Sequence, residues 1–503
     1  MGLRARENRP LFKKKRDNYA RKLRKKKLIN YLVSELRTCT THGLPYIVNR
    51  EIHWAGRTFW AVNFLLAVTI LIALLETQYF RFTTSAIVTS VEMDYFNWNI
   101  SYPAITLCPM YKIEDDDLNE LVNETMESTG EYIDTQLRVI TSISYDTADI
   151  VDFDNLDVTS VIVPSDYGML AAMMFKKFDN NSLTTSTNWP ISVEISMTEM
   201  GMCHVINSNV AQLDNPLKWT TAKYAKNNID LSVHERDFFV QLVNYADVYK
   251  IYIHSPNELI QTTTPSYTSK LNNYIDFGVK VWSTRISHRL AKYPLSVRKC
   301  RFLNEPISKR YPVYSYTHCI IECRIKMILE ICGCIPHFYK RLDHERVCNL
   351  TELPCFVEHK TEFIKLSLSD ESLSNLTNSN SANIPKSPSD CGCLNSCDTD
   401  IYTKDHETFT PQDDHNSMRV GISAYPKIRI VKDTIINLYD IILRSGGVIN
   451  LCIGSSVISL MELLVLLLKV FLFYARVLAS MIMRAFRYII PRVRMWTMFR
   501  IKK

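Results

Sequence analysis

The sequence predicts a membrane α+β fold: two transmembrane helices plus a large disulfide-rich β-scaffold ectodomain with helical insertions. Three observations predict it. Two long apolar runs lie towards the ends of the 503-residue chain. Twelve of the 14 cysteines fall between those runs. The formal net charge of +7 hides a division by position. Residues 1–50 hold 15 Lys+Arg and 3 Asp+Glu, residues 469–503 hold 9 Lys+Arg and no acid, and the body between them has a net of −14. Basic ends on an acidic body point to membrane or nucleic acid at the ends. With 47% apolar residues the chain can bury a sizeable core, and only 13 glycines exclude collagen and Gly-rich linkers.

The first run, Phe59–Leu75, is interrupted by Asn63 and Thr69. Extended to Phe80 or Phe82 it reaches the length of about 20 residues that a bilayer core requires. The second run, Val448–Leu468, is interrupted mainly by Asn450, Ser455, Ser456, Ser459 and Glu462. The N-terminus stays charged without an early apolar core, so no signal peptide is expected and the first run acts as an internal anchor. Basic flanks remain cytosolic, which places both tails inside and the middle outside. The expected boundaries are a cytosolic basic tail at 1–55, spans at 56–80 and 441–470, an extracellular Cys-rich domain at 81–440 and a cytosolic basic tail at 471–503. The basic runs Lys13–Arg16 and Arg24–Lys27 suit a nucleic-acid arm, a solvated arm or anionic inner-leaflet lipid. A span following so closely favours lipid over nucleic acid.

Two features of the middle agree with an oxidising, glycosylating compartment. Asn-x-Ser/Thr acceptors stand at Asn99, Asn123, Asn180, Asn349 and Asn375, all between the spans. The twelve cysteines there are an even set, which reads as disulfides. Cys332-Gly333-Cys334 and Cys391-Gly392-Cys393 also have a spacing that suits metal. Ala86–Val91, Ile191–Ser196 and Val248–Ile253 read as strands, Thr317–Ile331 as a helix, Glu114–Glu120 as helix or loop, and Ser367–Asp390 as a loop. Cys319 and Cys323 share a helix face about 6 Å apart, and Cys391 and Cys393 share a face of an extended segment at about 6–7 Å. A helix and an extended return segment of matching pitch can be riveted twice, although spacing alone cannot choose among about ten thousand pairings.

The second span carries more than an anchor needs. A carboxylate in mid-membrane costs at least about 2.5 kcal/mol, so Glu462 should face protein or water. Gly446-Gly447 and Gly454-Ser455-Ser456 suit close helix packing or an ion path lined by oxygens. One chain supplies two spans, so a pore implies an oligomer.

These residues resemble the degenerin/epithelial sodium channel family, most closely its arthropod pickpocket branch, from His42 to about Leu468. The likeness rests on His42-Gly43, Tyr102-Pro103-Ala104-Ile105-Thr106-Leu107-Cys108, Gly201-Met202-Cys203 with Ile206-Asn207, and Ile253-His254-Ser255-Pro256. Its most specific part runs from Tyr314-Ser315 through Cys319, Cys323, Cys332, Cys334, Pro336, Cys348, Cys355, Cys391 and Cys393 to Cys397. The resemblance implies helical thumb and finger insertions, and pairing of Cys108 with Cys203, Cys300 with Cys397, Cys319 with Cys393, Cys323 with Cys391, Cys332 with Cys355 and Cys334 with Cys348. It implies a homotrimer or heterotrimer with related subunits in the lipid bilayer of the plasma membrane, permeant Na+ and no nucleic acid. The implied filter is Gly454, Ser455 and Ser456, with Glu462 as pore acid and His42-Gly43 as gating motif.

Four positions depart from the family pattern. Arg444 stands where acid-sensing members have an acid, Leu443 replaces a small gating residue, Asn450 replaces a glycine, and Val465 replaces a second pore acid. Arg444 and Leu443 motivate the alternative of a non-conducting accessory or receptor subunit. The stimulus is open between ligand, force and constitutive opening. An enzyme is not expected. His344-Glu345-Arg346-Val347-Cys348 and His234-Glu235-Arg236-Asp237-Phe238 lack the second histidine of a zinc-protease helix, and neither a Gly-x-Ser-x-Gly elbow nor a P-loop occurs. No cofactor or metal is called for, and Glu114-Asp115-Asp116-Asp117 reads as a solvated acidic face before a proton or Ca2+ site.

Overall fold

The computed structural model describes residues 29–500 together with 23, 26 and 27, apart from 85–86, 154, 157, 159–160, 270, 369–386, 413–415 and 435–437. The chain divides into two compact units, one formed by both ends of the sequence and one spanning Ile87–Thr434.

The terminal unit is helical. Its helices include Leu44–Val48, Trp54–Thr84, Leu438–Ile453 and Val457–Arg500, and residues 29–38 are helical as well. Trp54–Phe82 and Val457–Arg476 are long and apolar enough to cross a membrane. Helix Trp54–Thr84 packs along Leu438–Ile453. Helix Leu44–Val48 is tied to Trp54–Thr84 by stacking of Tyr46 on Trp60, with centroids 4.7 Å apart, and by Arg57 Nε donating to the Ile47 carbonyl at 2.9 Å.

The second apolar run is not one helix, which corrects the expectation of a continuous span. Helix Leu438–Ile453 ends, residues 454–456 are irregular, and a new helix starts at Val457. The local cause is Gly454, whose φ of +60° is the left-handed conformation that ends helices and that glycine adopts without strain.

In the large unit, strand Asn273–Ile286 organises a seven-stranded sheet. It pairs antiparallel with Thr399–Pro411 and parallel with Ser417–Ala424 and Arg429–Thr434. Its inward side chains alternate, with Ile275, Phe277, Val279 and Val281 buried and Lys280 and Trp282 exposed. The register slips between Gly278 and Val279, where a Cβ on Gly278 would lie 1.9 Å from the His406 ring. A five-stranded sheet built on Ala104–Pro109, Gly201–Ile206 and Tyr249–His254 supplies Ile105, Leu107, Ile206 and Ile251 to the same core.

The expected strands occur as Ile87–Glu92, Val193–Thr198 and Tyr249–His254, Ala86 itself lying outside the described residues. The acidic run at 114–117 makes the N-cap and first turn of helix Asp115–Thr129, where carboxylates complement the helix dipole. The body of the loop expected at Ser367–Asp390 lies outside the described residues.

Helix Tyr316–Cys332 is the axis of the cysteine-rich part. Ser315 caps it by accepting from the His318 amide, and Glu258 accepts from the Tyr316 and Thr317 amides at 3.1 and 2.8 Å. Gly333, with φ +71°, closes it. The helix is buried on nearly every face, so its charges must be paired inside. Arg324 meets Glu199, each side chain 1% exposed, and Glu199 also accepts from the Tyr339 hydroxyl at 2.7 Å and the Thr262 amide at 2.9 Å. Glu322 accepts from Arg310 Nε at 2.7 Å, and Arg310 also reaches Glu345.

Six disulfides are formed: Cys108–Cys203, Cys300–Cys397, Cys319–Cys393, Cys323–Cys391, Cys332–Cys355 and Cys334–Cys348. The two rivets of the helix have Cα separations of 5.8 and 5.7 Å. The return segment is not extended as expected from pitch. Pro388–Cys391 is a 3-10 turn capped by Gly392 at φ +64°, and this turn brings both sulfurs to one side.

Burial pushes the imidazoles of His204, His254 and His337 down to about 4. The unfolded chain therefore takes up protons below about pH 6.5 that the fold refuses until about pH 4. Stability is full above that window and falls as pH drops through it, by up to ~4 kcal/mol per pH unit for three groups. A thermal melt of the detergent-solubilised chain between pH 7 and 4 should show this loss. His337 Nε2 bonds the Ile140 carbonyl at 2.8 Å, so His337→Gln keeps a donor there and should flatten the slope by about one third. An unchanged slope would show that His337 is not buried neutral.

Candidate pore site

The break in the second apolar run is where the terminal unit concentrates its polar contacts. Ile453 ends its helix with a free carbonyl, and the His42 amide donates to it at 3.1 Å. The Gly454 amide bonds back to the Asn450 carbonyl at 2.9 Å. The Ser455 hydroxyl, 3% exposed, donates to Thr41 Oγ1 at 3.1 Å. Ser456 caps the next helix, its hydroxyl accepting from the Ser459 amide at 3.2 Å. Thr40 Oγ1 lies 2.5 Å from Ser459 Oγ and 3.2 Å from Glu462 Oε2.

The sequence-predicted His42-Gly43 pair and the Gly454–Ser456 segment are thus in direct contact. A Cβ on Gly454 would fall 1.8 Å from His42 Nδ1, so His42 occupies the space that glycine leaves. Gly43, at φ +89°, turns the chain into helix Leu44–Val48, and a Cβ there would lie 3.3 Å from Phe64. Glu462 is exposed, in the second turn of helix Val457–Arg500.

Leu443, Arg444 and Asn450 lie on helix Leu438–Ile453, and all three are exposed. Asp440 stands four residues before Arg444, the spacing at which two side chains share a helix face. Gly446 and Gly447 meet nothing within 4 Å of an added Cβ, so the close packing expected of them is not made within one chain.

Three residues in this site were not singled out as functional. Thr40, Thr41 and Ser459 build the hydroxyl network around the break. The available signal was local: two threonines directly precede His42, and Ser459 stands three residues after Ser456, the spacing of a cap.

The acceptor asparagines differ in setting. Asn99, Asn123 and Asn180 are exposed. Asn349 is half-buried, and its Oδ1 accepts from the Leu350 amide at 2.7 Å and the Tyr167 hydroxyl at 3.1 Å. Asn375 lies outside the described residues.

Residues 36–466 match the family model described as amiloride-sensitive sodium channel. The chain belongs to the amiloride-sensitive sodium channel family. It is similar to sodium channel protein Nach of Drosophila virilis, 22% identical over 289 residues that cover 54% of this chain and 70% of that one. Pickpocket protein 28 of Drosophila melanogaster is 22% identical over 402 residues, 69% of this chain and 61% of that one. Nach of Drosophila melanogaster is 19% identical over 476 residues, 85% of each. A cryo-EM structure of a proton-activated chloride channel aligns with 82% of this chain and 97% of its own at a TM-score of 0.25 and 7% identity, a likeness from which nothing follows here. The chain is a membrane protein of a channel family and not an enzyme.

In this channel-family chain, a disulfide trap tests the contact between the pre-span segment and the break. With Cys39 and Cys452, the free cysteines among the described residues, replaced by alanine, Thr40→Cys and Ser459→Cys together should cross-link under mild oxidation. Mass spectrometry of the linked peptides reads the result. Absence of the link, with both thiols reactive to maleimide, would contradict the contact.

Proposed function

We propose that the chain is one subunit of a trimeric, sodium-selective or cation channel that passes Na+ down its gradient across the plasma membrane. Opening follows an extracellular ligand, force or a constitutive equilibrium. Residues 81–440 form the extracellular domain, and the tails 1–55 and 471–503 lie in the cytosol. The observation that carries the proposal is the interrupted helix at Gly454–Ser456, with Glu462 beyond it. Irregular backbone at membrane depth is tolerated where protein covers it or where it lines a water-filled path.

With the Ser455 hydroxyl turned to Thr41 and the Ser456 hydroxyl spent on a cap, the oxygens left to replace water around Na+ are mainly backbone carbonyls. Glu462 adds negative potential that raises the local cation concentration. Related subunits serve as partners, since two spans from one chain cannot enclose a path.

A second reading rests on Arg444. A permanent cation exposed on the helix before the break opposes cation entry if it faces the path. The chain then acts as a non-conducting accessory or receptor subunit beside conducting relatives.

Recording from oocytes that express the chain, alone and with related subunits, separates the readings. Amiloride-sensitive Na+ current is expected, with Glu462→Gln lowering unitary conductance at least about twofold. Arg444→Asp should enlarge the current, and under the accessory reading should create it. Surface-delivered chains that carry no current in any combination, with Arg444 or with Asp at that position, would refute the channel proposal.

A further inference from the structure

We propose that the cavity beside Phe178 seats the first sugar of an N-glycan carried on Asn180. The proposal rests on the reading that residues 81–440 lie outside the cell. The cavity holds about 350 Å³, at the lower end of the ~300–1,000 Å³ of small-molecule sites. Phe175, Phe178, Met173 and Leu217 line it, with Lys176, Glu194 and Asn180 also contributing.

Four observations select a sugar tethered at Asn180. Met173 and Leu217 leave 54% and 51% of their surface exposed at this cavity, so a cover over them gains apolar burial. Phe178 is half-buried and lines the cavity, so part of an aromatic ring is open there to the apolar C–H groups of a pyranose ring. Lys176 is half-buried at the cavity, and its ammonium can donate to hydroxyl or acetamido oxygens. The Asn180 side-chain amide makes no hydrogen bond among the described residues, and the residue is exposed.

The backbone presents Asn180 at this place. Asp179 accepts from the Asn181 amide at 2.9 Å, and Ser182 Oγ donates to the Asp179 carbonyl at 2.6 Å. These bonds hold the acceptor triplet in a turn two residues after Phe178. A tethered sugar has a high effective concentration at the cavity, so weak contacts suffice to seat it.

The chemistry that attaches it is glycosyl transfer from a lipid-linked pyrophosphate donor. The Asn180 amide nitrogen bonds the anomeric carbon of N-acetylglucosamine. The anomeric C–O bond to the pyrophosphate breaks, the lipid pyrophosphate leaves with the electron pair, and the amide loses one proton.

The test uses full-length protein from cells that make high-mannose glycans. One endoglycosidase trims each glycan to a single N-acetylglucosamine, and an amidase removes it entirely. Hydrogen exchange of residues 172–178 and 193–195 should be alike in the intact and trimmed forms. It should be about tenfold faster in the amidase-treated form and in Asn180→Gln. The Asn180→Gln variant also controls for the aspartate that the amidase leaves. Equal exchange in trimmed and stripped protein would overturn the seat. So would an Asn180 peptide without sugar in protein glycosylated at Asn123, a result that leaves the topology standing. Sugar at no acceptor would instead count against the extracellular reading itself.

Discussion

A helix that stops within an apolar run leaves carbonyls without partners, and in a membrane each such group costs several kcal/mol. The terminal unit is arranged around this demand. The His42 amide takes the Ile453 carbonyl, and Thr41 takes the Ser455 hydroxyl. Ser456 then caps the helix that follows, and Thr40 reaches Ser459 and Glu462 on that helix. The residues before the first span and the break in the second are therefore one structure. Gly454 satisfies two needs at once: a left-handed φ of +60° and room for the His42 ring. A side chain there meets both penalties together, and the bond from His42 to Ile453 would be the first lost.

The large unit meets a related demand with charge. Helix Tyr316–Cys332 is enclosed by apolar side chains and still carries Glu322 and Arg324 inward. Each has an opposite charge, and Arg324 and Arg310, the partner of Glu322, make further hydrogen bonds, which is the condition under which a buried ion pair is tolerated. Removing one member strands the other at a cost of about 3–5 kcal/mol, whereas an apolar pair of similar shape can be nearly neutral. The disulfides Cys319–Cys393 and Cys323–Cys391 hold the outer side of that helix to a turn with little apolar surface of its own. Hydrophobic burial alone would not keep that turn in place.

Much of this was legible from residue pattern. The apolar runs, the short β-branched strands and the helix around Cys319 follow from periodicity and composition. Strand Asn273–Ile286 was harder to see. Asp276, Gly278 and Lys280 lie between the buried Ile275, Phe277, Val279 and Val281 and make the run look polar. The partner strand Thr399–Pro411 is exposed along most of its length and has no apolar alternation to find. Ser417–Ala424 depends on a parallel neighbour far away in sequence. At the candidate pore site, His42-Gly43 and Gly454–Ser456 were visible as motifs. Their contact was not, because it joins segments more than 400 residues apart through Thr40, Thr41 and Ser459. Such hydroxyls have no periodic signature.

The same polar residues bear on assembly. In a single chain Arg444, Asn450 and Glu462 are exposed on the helices flanking the break, and Gly446 and Gly447 have nothing against them. Lipid hydrocarbon cannot solvate a carboxylate, a guanidinium or an amide. Leu451, Val457 and Ile458, at 82%, 75% and 72% exposure, need no partner beyond lipid. The apolar side chains are satisfied by a bilayer and the polar ones are not. Those polar groups therefore require water or another protein chain. Two glycines in succession give a neighbouring helix a close approach, while Glu462 and the carbonyls at Gly454 favour a hydrated path. Under the channel proposal an oligomer enclosing water would meet both requirements, and the placement of Arg444 would then decide how freely a cation enters it.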